Sequence, residues 1–208
     1  MTDDALTPIT AFAGLEFSAA GDGVVAADRD GLGLATVLVH RSRVAALTER
    51  IRDRFGIDLP RGPYRSAAAG LAFAGIGPEA WLVTNEAGSK GFAARLTQAL
   101  GDLAAITDQS SGYAILRLSG PRLRETLAKI LPLDLHPRAF APAAVASTVA
   151  SHVGVTLWRL EDGADGSPVF EMTVARSLAG SLWHCLTVSA AEFGFVGQGP
   201  ASDKVSSR

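Results

Sequence analysis

Residues 113–121 read Tyr-Ala-Ile-Leu-Arg-Leu-Ser-Gly-Pro, and this stretch decides the fold. Its mostly apolar run, Tyr113–Leu118, has the length and composition of a strand. Ser119-Gly120-Pro121 then predicts the start of a helix, because proline at the first helical position lacks only an N–H group that would be unpaired there. Apolar side chains follow at helical spacing, at Leu123, Leu127, Ile130 and Leu131. The stretch therefore predicts a strand that leads directly into a helix.

The chain before this stretch predicts helix, strand, strand, helix and strand, in that order. Helices are expected at Arg41–Phe55 and Ser89–Leu100, where apolar residues recur at helical spacing and a glycine follows the last turn. The expected strands are Leu71–Ile76, Ala80–Thr84 and Leu103–Thr107.

The chain after it repeats the same kinds of element. We expect a strand pair at Val145–His152 and Val153–Leu160, a further strand at Val169–Val174 and a closing helix at Ser177–Leu186. Both halves therefore combine antiparallel strand pairs with helices at the flanks. This order favours an α+β fold, made of two-layer antiparallel sheets with flanking helices.

The sequence also predicts a division into an arm, a body and a tail. The N-terminal arm is rich in Ala, Gly and Asp and shows at most a short strand at Val24–Ala27. The end of the chain is rich in Gly and Ser, so we expect it to be flexible. The predicted ranges are 1–36 for an extended arm, 37–192 for an α+β body with two similar lobes at about 37–107 and 108–192, and 193–208 for the tail.

The composition is that of a chain with a sizeable core and no strong overall charge. Of 208 residues, 48% are hydrophobic and 19% are charged, and the net charge is -2 at pH 7. Nothing in this balance draws the chain to nucleic acid or to an acidic membrane surface. Met1–Thr10 lacks the pattern of a signal peptide, and no apolar run is long enough for a membrane-spanning helix. We therefore expect a cytoplasmic protein with no membrane partner.

The residue types that usually carry catalysis or bind metals are few and scattered. The single cysteine, Cys185, excludes an intrachain disulfide and a cysteine-rich zinc or iron–sulfur site. Its neighbour His184 points about a quarter-turn away on a helix, which disfavours a Cys–His nucleophile. Short glycine pairs near Gly31 and Gly75 match no nucleotide-binding motif, and Ser110 lies in no nucleophile elbow. We expect no catalytic, cofactor-binding or metal-binding residue in this chain.

A loop of about a dozen residues, Pro132 to Pro142, differs from the other connections. It combines an acid, an imidazole and a base, Asp134, His136 and Arg138, between several prolines. Loops of this length in compact domains are often functional, and prolines reduce the entropy lost on docking. The alternative is a rigid connector held by its own Asp–Arg hydrogen bonds, and the sequence does not choose between the two.

A run of short motifs resembles the gamma subunits of heterotetrameric sarcosine oxidases, over about residues 37–187. The motifs occur in the expected order and at the expected spacing. They are Thr107-Asp108-Gln109-Ser110, Leu116-Arg117-Leu118-Ser119-Gly120-Pro121, Pro132-Leu133-Asp134-Leu135-His136-Pro137, His152-Val153-Gly154-Val155, Leu157-Trp158, Phe170-Glu171, Arg176-Ser177 and Ala179-Gly180-Ser181-Leu182-Trp183-His184.

The resemblance implies a fold like that of the folate-binding domain of the glycine-cleavage T-protein. It also implies a complex that oxidises sarcosine to glycine, with hydrogen peroxide and either formaldehyde or methylene-tetrahydrofolate as products. The alpha and beta subunits of that complex are expected to hold FAD, FMN, NAD and the tetrahydrofolate site, and the delta subunit to hold zinc. For this chain the resemblance implies a non-catalytic assembly role.

Six residues are expected to contact other subunits: Asp134, His136, Arg138, Arg176, Trp183 and His184. A second hypothesis is an autonomous tetrahydrofolate-binding protein similar to an aminomethyltransferase. The chain lacks the Lys-Gly-Cys-Tyr-x-Gly-Gln signature of the tRNA-modifying folate-binding branch, since residues 195–199 read Phe-Val-Gly-Gln-Gly, without Cys or Tyr. This absence weighs against the second hypothesis.

Overall fold

Eleven strands and four α-helices form the part of the chain that the structure, a computed structural model, describes: residues 9–15 and 21–198. The helices are α1 (Val44–Phe55), α2 (Phe92–Leu100), α3 (Leu123–Ala128) and α4 (Ala179–Ala190). The strands are β1 (Val24–Asp28), β2 (Gly33–Leu38), β3 (Arg65–Ala68), β4 (Leu71–Gly77), β5 (Ala80–Asn85), β6 (Ala105–Asp108), β7 (Tyr113–Ser119), β8 (Val145–Ala150), β9 (Val153–Arg159), β10 (Val169–Ala175) and β11 (Phe195–Gln198).

The strands form two sheets. The first sheet has six strands in the order β11-β1-β7-β10-β9-β8, and the second has five in the order β3-β4-β5-β2-β6. The strand pairs are antiparallel, except that β1 and β11 run parallel. An isolated bridge between Tyr64 and Ala144 joins the segment before β3 to the segment before β8. The α+β fold class is therefore confirmed, while the division into two lobes stays a prediction.

The two faces of each sheet belong to different hydrophobic clusters, because side chains alternate along the strands. Leu116 on β7 and Phe170 on β10 belong to a buried cluster with residues of α3 and α4. Val37 and Val83 of the second sheet pack in the same way with residues of α1 and α2. The remaining faces meet in a third cluster, which includes Leu34, Leu82, Ile115 and Trp158. Because successive strand residues point to opposite faces, this clustering places helices outside and the two sheets face to face.

The elements that the sequence predicts from local patterns are present. The quoted strand is β7, and a short helix, α3, follows it after Pro121. Gly56 ends α1 in the left-handed conformation with φ 66°, which glycine adopts without steric cost. Short 3₁₀ turns at Arg41–Arg43 and Arg176–Leu178 precede α1 and α4, so both regular α-helices begin a few residues later than the apolar pattern indicates.

The structure differs from the predicted arm and tail. Residues 24–28 and 33–38 form β1 and β2, which lie inside their sheets with strands on both sides. Residues 195–198, expected in the tail, form β11. β1 pairs with β7 and β11, both of them distant in the sequence, so no local pattern reveals these pairings. The parts of the predicted arm and tail at residues 1–8, 16–20 and 199–208 lie outside the described residues.

Candidate functional site

The loop between α3 and β8 presents three of the predicted contact residues to solvent. Asp134, His136 and Arg138 are all exposed, while Leu135 and Phe140 are buried and anchor the loop. The Asp134 carboxylate accepts a hydrogen bond from the His136 backbone N–H at 2.9 Å. His136 Nδ1 in turn accepts one from the Arg138 backbone N–H at 3.2 Å. These bonds hold the loop with backbone donors, which leaves the Arg138 guanidinium available to a partner.

Arg176, at the end of β10, is half-buried and contacts the N-terminal part of the chain. Its guanidinium donates to the backbone carbonyl of Ile9, and its charge also acts on Asp28. Burial is the main influence on Asp28, and it raises the pKa of that carboxyl. A side-chain hydrogen bond with Thr10 and the positive charge of Arg176 lower the pKa in part, and Asp30 raises it further. Arg176 is therefore engaged inside the chain as well as available at its surface.

The two candidates on α4 lie in opposite environments. Trp183 is only 5% exposed. Its ring lies 5.9 Å from that of Phe12 and 5.1 Å from that of Phe195, edge to face. His184 is exposed. Trp183 therefore packs inside this chain, and it would reach another subunit only after rearrangement of the core. The hydrogen bonds of Asp134 and His136 stay within the loop, whereas that of Arg176 goes to Ile9.

A buried ion cluster that the sequence analysis did not single out lies between the two sheets. Glu171 on β10 is 4% exposed. Its Oε1 accepts from Arg117 Nε at 3.0 Å, Arg117 Nη2 at 2.7 Å and Arg29 Nε at 3.1 Å. Its Oε2 accepts from Trp158 Nε1 at 2.9 Å. Arg29 also bridges to Glu86 at 2.8 Å, which ties the first sheet to the loop after β5.

Strand register produces this cluster. Glu171 lies directly opposite Arg117 on one side and Trp158 on the other, and such cross-strand neighbours interact directly. Arg65 on β3 interacts electrostatically with the same cluster. Burial lowers the pKa of its guanidinium below the ordinary value, and the positive charges of nearby arginines lower it further. The negative charges of Glu171 and Glu86 raise the pKa and oppose this effect. The sequence gives one indication of this cluster: Arg117 and Glu171 are single charged residues inside otherwise mostly apolar strands.

A groove of about 730 Å³ opens where the two sheets meet. We call it the Trp81 groove, since Trp81 forms part of its lining. It lies between the start of α1, the segment 59–63, the turn between β4 and β5, and Ser147 of β8. The lining is mainly apolar, with the charged residues Arg41, Arg61 and Glu79.

The described residues contain no cluster suited to a metal ion and no helix suited to a membrane. Across residues 9–15 and 21–198, no group of at least three His, Cys, Asp or Glu side chains converges on one point. Over the same ranges, each helix is too short or too polar to span a bilayer.

A model of the sarcosine oxidase gamma subunit family matches residues 42–192. The chain belongs to this family. The matched range contains Glu171, the exposed loop 132–142 and most of the Trp81 groove. It also contains all six predicted contact residues and the run of motifs from Thr107 to His184.

Curated relatives agree with this assignment. The chain is 38% identical over 107 residues to a sarcosine oxidase subunit gamma from Arthrobacter sp., covering 50% of this chain and 52% of that protein. It is 36% identical over 118 residues to the gamma subunit from Corynebacterium sp. (strain P-1), covering 55% and 56%. The match thus spans about half the length of these relatives.

Two solved structures share the fold. A chain of the heterotetrameric sarcosine oxidase from Corynebacterium sp. U-96, in complex with pyrrole 2-carboxylate, aligns with a TM-score of 0.70 at 24% identity, covering 84% of this chain and 88% of that one. The glycine cleavage system aminomethyltransferase T from Bartonella henselae aligns with a TM-score of 0.61 at 15% identity, covering 86% and 48%. The expected resemblance to the fold of the T-protein is therefore confirmed.

Proposed function

We propose that this chain is the non-catalytic gamma subunit of a heterotetrameric sarcosine oxidase and serves in assembly. The observation that carries the proposal is the family match over residues 42–192. The fold shared with a chain of the Corynebacterium sp. U-96 complex supports it. The partners in this proposal are alpha, beta and delta subunits, in the cytoplasm.

The proposal assigns the chemistry to the partners. The complex would demethylate sarcosine oxidatively to glycine, giving hydrogen peroxide and either formaldehyde or methylene-tetrahydrofolate. FAD, FMN, NAD, zinc and tetrahydrofolate would be held by the other subunits. This chain would contribute a surface, and its exposed loop with Asp134, His136 and Arg138 is one candidate part of that surface.

The ion cluster weighs against the second hypothesis, independent folate chemistry. A pterin ring is commonly held by an acidic side chain, and Glu171 is the buried glutamate that the fold places between the sheets. Both of its oxygens already accept hydrogen bonds from Arg29, Arg117 and Trp158. A ligand would have to displace these donors, and the buried indole N–H of Trp158 would then lose its acceptor. Calorimetry of the isolated chain with a reduced folate should therefore show no binding heat at submillimolar ligand.

Co-expression with and without the other subunits tests the assembly role. A tagged chain co-expressed with the alpha, beta and delta subunits of its host should recover all three and show sarcosine-dependent peroxide production. The same chain purified alone should be colourless and inactive. A flavin absorbance spectrum from the isolated chain would contradict the non-catalytic role. Failure to recover any other subunit would contradict the assembly role.

A further inference from the structure

Contacts of Trp81 and Gly75 with the segment 59–63 make the floor of the Trp81 groove rigid. Trp81 is 4% exposed and donates its indole N–H to the Pro60 carbonyl at 2.9 Å. Gly75 allows the segment 59–63 to pass directly against β4, because a Cβ at Gly75 would lie 2.1 Å from the Gly62 carbonyl oxygen. Pro60 and Pro63 restrict the backbone of the segment 59–63. The groove is therefore pre-formed, and little conformational entropy is lost when it is filled.

One wall of the groove is the end of β4, which extends beyond its pairing with β3. The register between β3 and β4 runs from Ala68 opposite Leu71 to Arg65 opposite Ala74, and Gly75 N–H then donates to the Tyr64 carbonyl. The next residues of β4, Ile76 and Gly77, line the groove. An apolar trough beside the end of a strand suits an extended peptide, which can insert side chains at alternate positions.

The charged residues of the groove leave a local excess of positive charge. Arg41 and Glu79 form an ion pair at 3.6 Å, in which the Arg41 side chain is 90% exposed. Arg61 is exposed, and its side chain forms no ion pair or hydrogen bond within residues 9–15 and 21–198. The lining thus has two arginines and one glutamate, which favours an occupant with a carboxylate.

The apolar surface continues beyond the groove itself. Tyr64, adjacent to the lining residue Pro63, is 58% exposed. Val149, two residues from Ser147 and therefore on the same face of β8, is 45% exposed. Exposed apolar residues grouped with arginine are typical of protein–protein interfaces. A small ligand would fill the trough and leave these side chains exposed, whereas a protein segment would cover them as well.

We infer that the Trp81 groove receives an extended segment of another subunit, in which an Asp or Glu lies beside an apolar side chain. The apolar side chain packs over Trp81, and the carboxylate pairs with Arg61 at the rim. This inference rests on the proposed function, because the occupant is another subunit of the same complex.

Photo-crosslinking in the assembled complex tests the inference. The full chain carrying p-benzoyl-phenylalanine in place of Pro78 at the rim is co-expressed with the alpha, beta and delta subunits of its host, irradiated, and analysed by peptide mass spectrometry. The expected product is a crosslink to a peptide of another subunit with an acidic residue within a few positions of an apolar one. The same replacement at Lys90, an exposed residue near α2, is the control and should not give that product.

A charge reversal supplies an independent measurement. Arg61→Glu should reduce recovery of the other subunits at 0.15 M salt by about tenfold, since it puts like charges together at the contact. Arg54→Glu makes the same charge change at an exposed position of α1 outside the groove, and recovery should stay within about twofold of the parent. Urea unfolding of both variants checks that they are folded.

The outcomes separate the groove from the proposed function. If the subunits assemble but the Pro78 position crosslinks to a second copy of this chain, to a basic segment or to nothing, the inference about the groove is wrong and the assembly role stands. Equal recovery with Arg61→Glu and Arg54→Glu would have the same meaning. If the parent chain recovers no other subunit, the inference and the proposed function both fail.

Discussion

Glu171 is a buried carboxylate at the interface between the two sheets. It is stable there because Arg29, Arg117 and Trp158 supply four hydrogen bonds to its two oxygens. Glu171→Ala removes the acceptor of Arg117 and of the buried Trp158 indole, while Arg29 keeps Glu86, and it should lower the free energy of unfolding by about 3 kcal/mol. Urea unfolding followed by tryptophan fluorescence measures this loss.

Glu86→Gln is the matched control for Glu171→Ala. Glu86 belongs to the same network through Arg29, but its side chain is 52% exposed. Exposed ion pairs are screened by water, so this change should cost less than about 1 kcal/mol. Equal losses from the two substitutions would show that burial of the carboxylate does not determine its contribution.

Asp28 should make the stability of the chain depend on pH in the direction opposite to that of a salt-bridged acid. Burial raises the pKa of Asp28 in the folded state above the ordinary value of 3.8. The folded state therefore holds the proton more tightly, and the associated stability is present below the ordinary value and lost as pH rises through the raised pKa. Asp28→Asn should thus be more stable than the parent at pH 7, with the difference shrinking toward pH 4.

Thermal unfolding across this pH range measures the Asp28 effect. Asp53→Asn, which removes one carboxylate from an exposed position of α1, is the control for the change in net charge. If both substitutions altered stability in parallel at every pH, the effect would belong to net charge and not to the buried Asp28.

Single residues also show how much of the site was predictable. The prolines and the polar residues between them predicted a loop, and Asp134, His136 and Arg138 are exposed in it, while their role as subunit contacts stays a prediction. The burial of Trp183 was also available from the sequence, because it lies three and seven residues before Leu186 and Ala190, on one face of α4. For the Glu171 cluster the sequence shows only the isolated charges at Arg117 and Glu171, because their pairing depends on the register of β7, β9 and β10.

At the level of the elements, the sequence predicts strand pairs that are neighbours in the chain, but not pairs of strands that are distant in sequence. The hairpins of β4 with β5 and of β8 with β9 join neighbours in the chain, so their turns and alternation mark them. The sequence indicated a short strand at Val24–Ala27, where β1 lies, but not its pairing with β11, near the opposite end of the chain, and with β7. Its short Ala- and Val-rich sequence shows no partner, and the same holds for β11.

Two glycines on different elements should respond in opposite ways to the same substitution. A methyl group at Gly75 of β4 would meet the Gly62 carbonyl oxygen, so Gly75→Ala should destabilise the fold by about 1–3 kcal/mol. At Gly180 of α4 no atom lies within 4 Å of the added Cβ, so Gly180→Ala should stabilise it by up to about 1 kcal/mol through helix propensity. Denaturant midpoints of the two variants measure both effects. Unchanged or raised stability of Gly75→Ala would contradict the close approach at Gly75, and a loss of stability in Gly180→Ala would contradict the open space at Gly180.

At the scale of the whole molecule, the two sheets pack face to face with helices on the outside. The sequence indicated strands and helices in both halves, but alternation along a strand shows only that both faces are occupied. Whether the second face meets a helix or another sheet depends on contacts such as those of Leu34 and Leu82 with Trp158, which are distant in sequence. The groove at the sheet junction was unpredictable for the same reason.

The packed body and the exposed loop should separate stability from assembly. His136→Ala and Arg138→Ala remove exposed side chains and, at His136, one exposed hydrogen bond, so the free energy of unfolding should change by less than about 1 kcal/mol while recovery of the other subunits falls. Trp183→Ala should instead destabilise the chain by about 3–5 kcal/mol, because Trp183 packs against Phe12 and Phe195. Parallel urea unfolding and co-purification of each variant distinguish the two effects. Undiminished recovery with Asp134, His136 and Arg138 all replaced would remove this loop from the contact surface and leave the assembly role to other faces of the molecule.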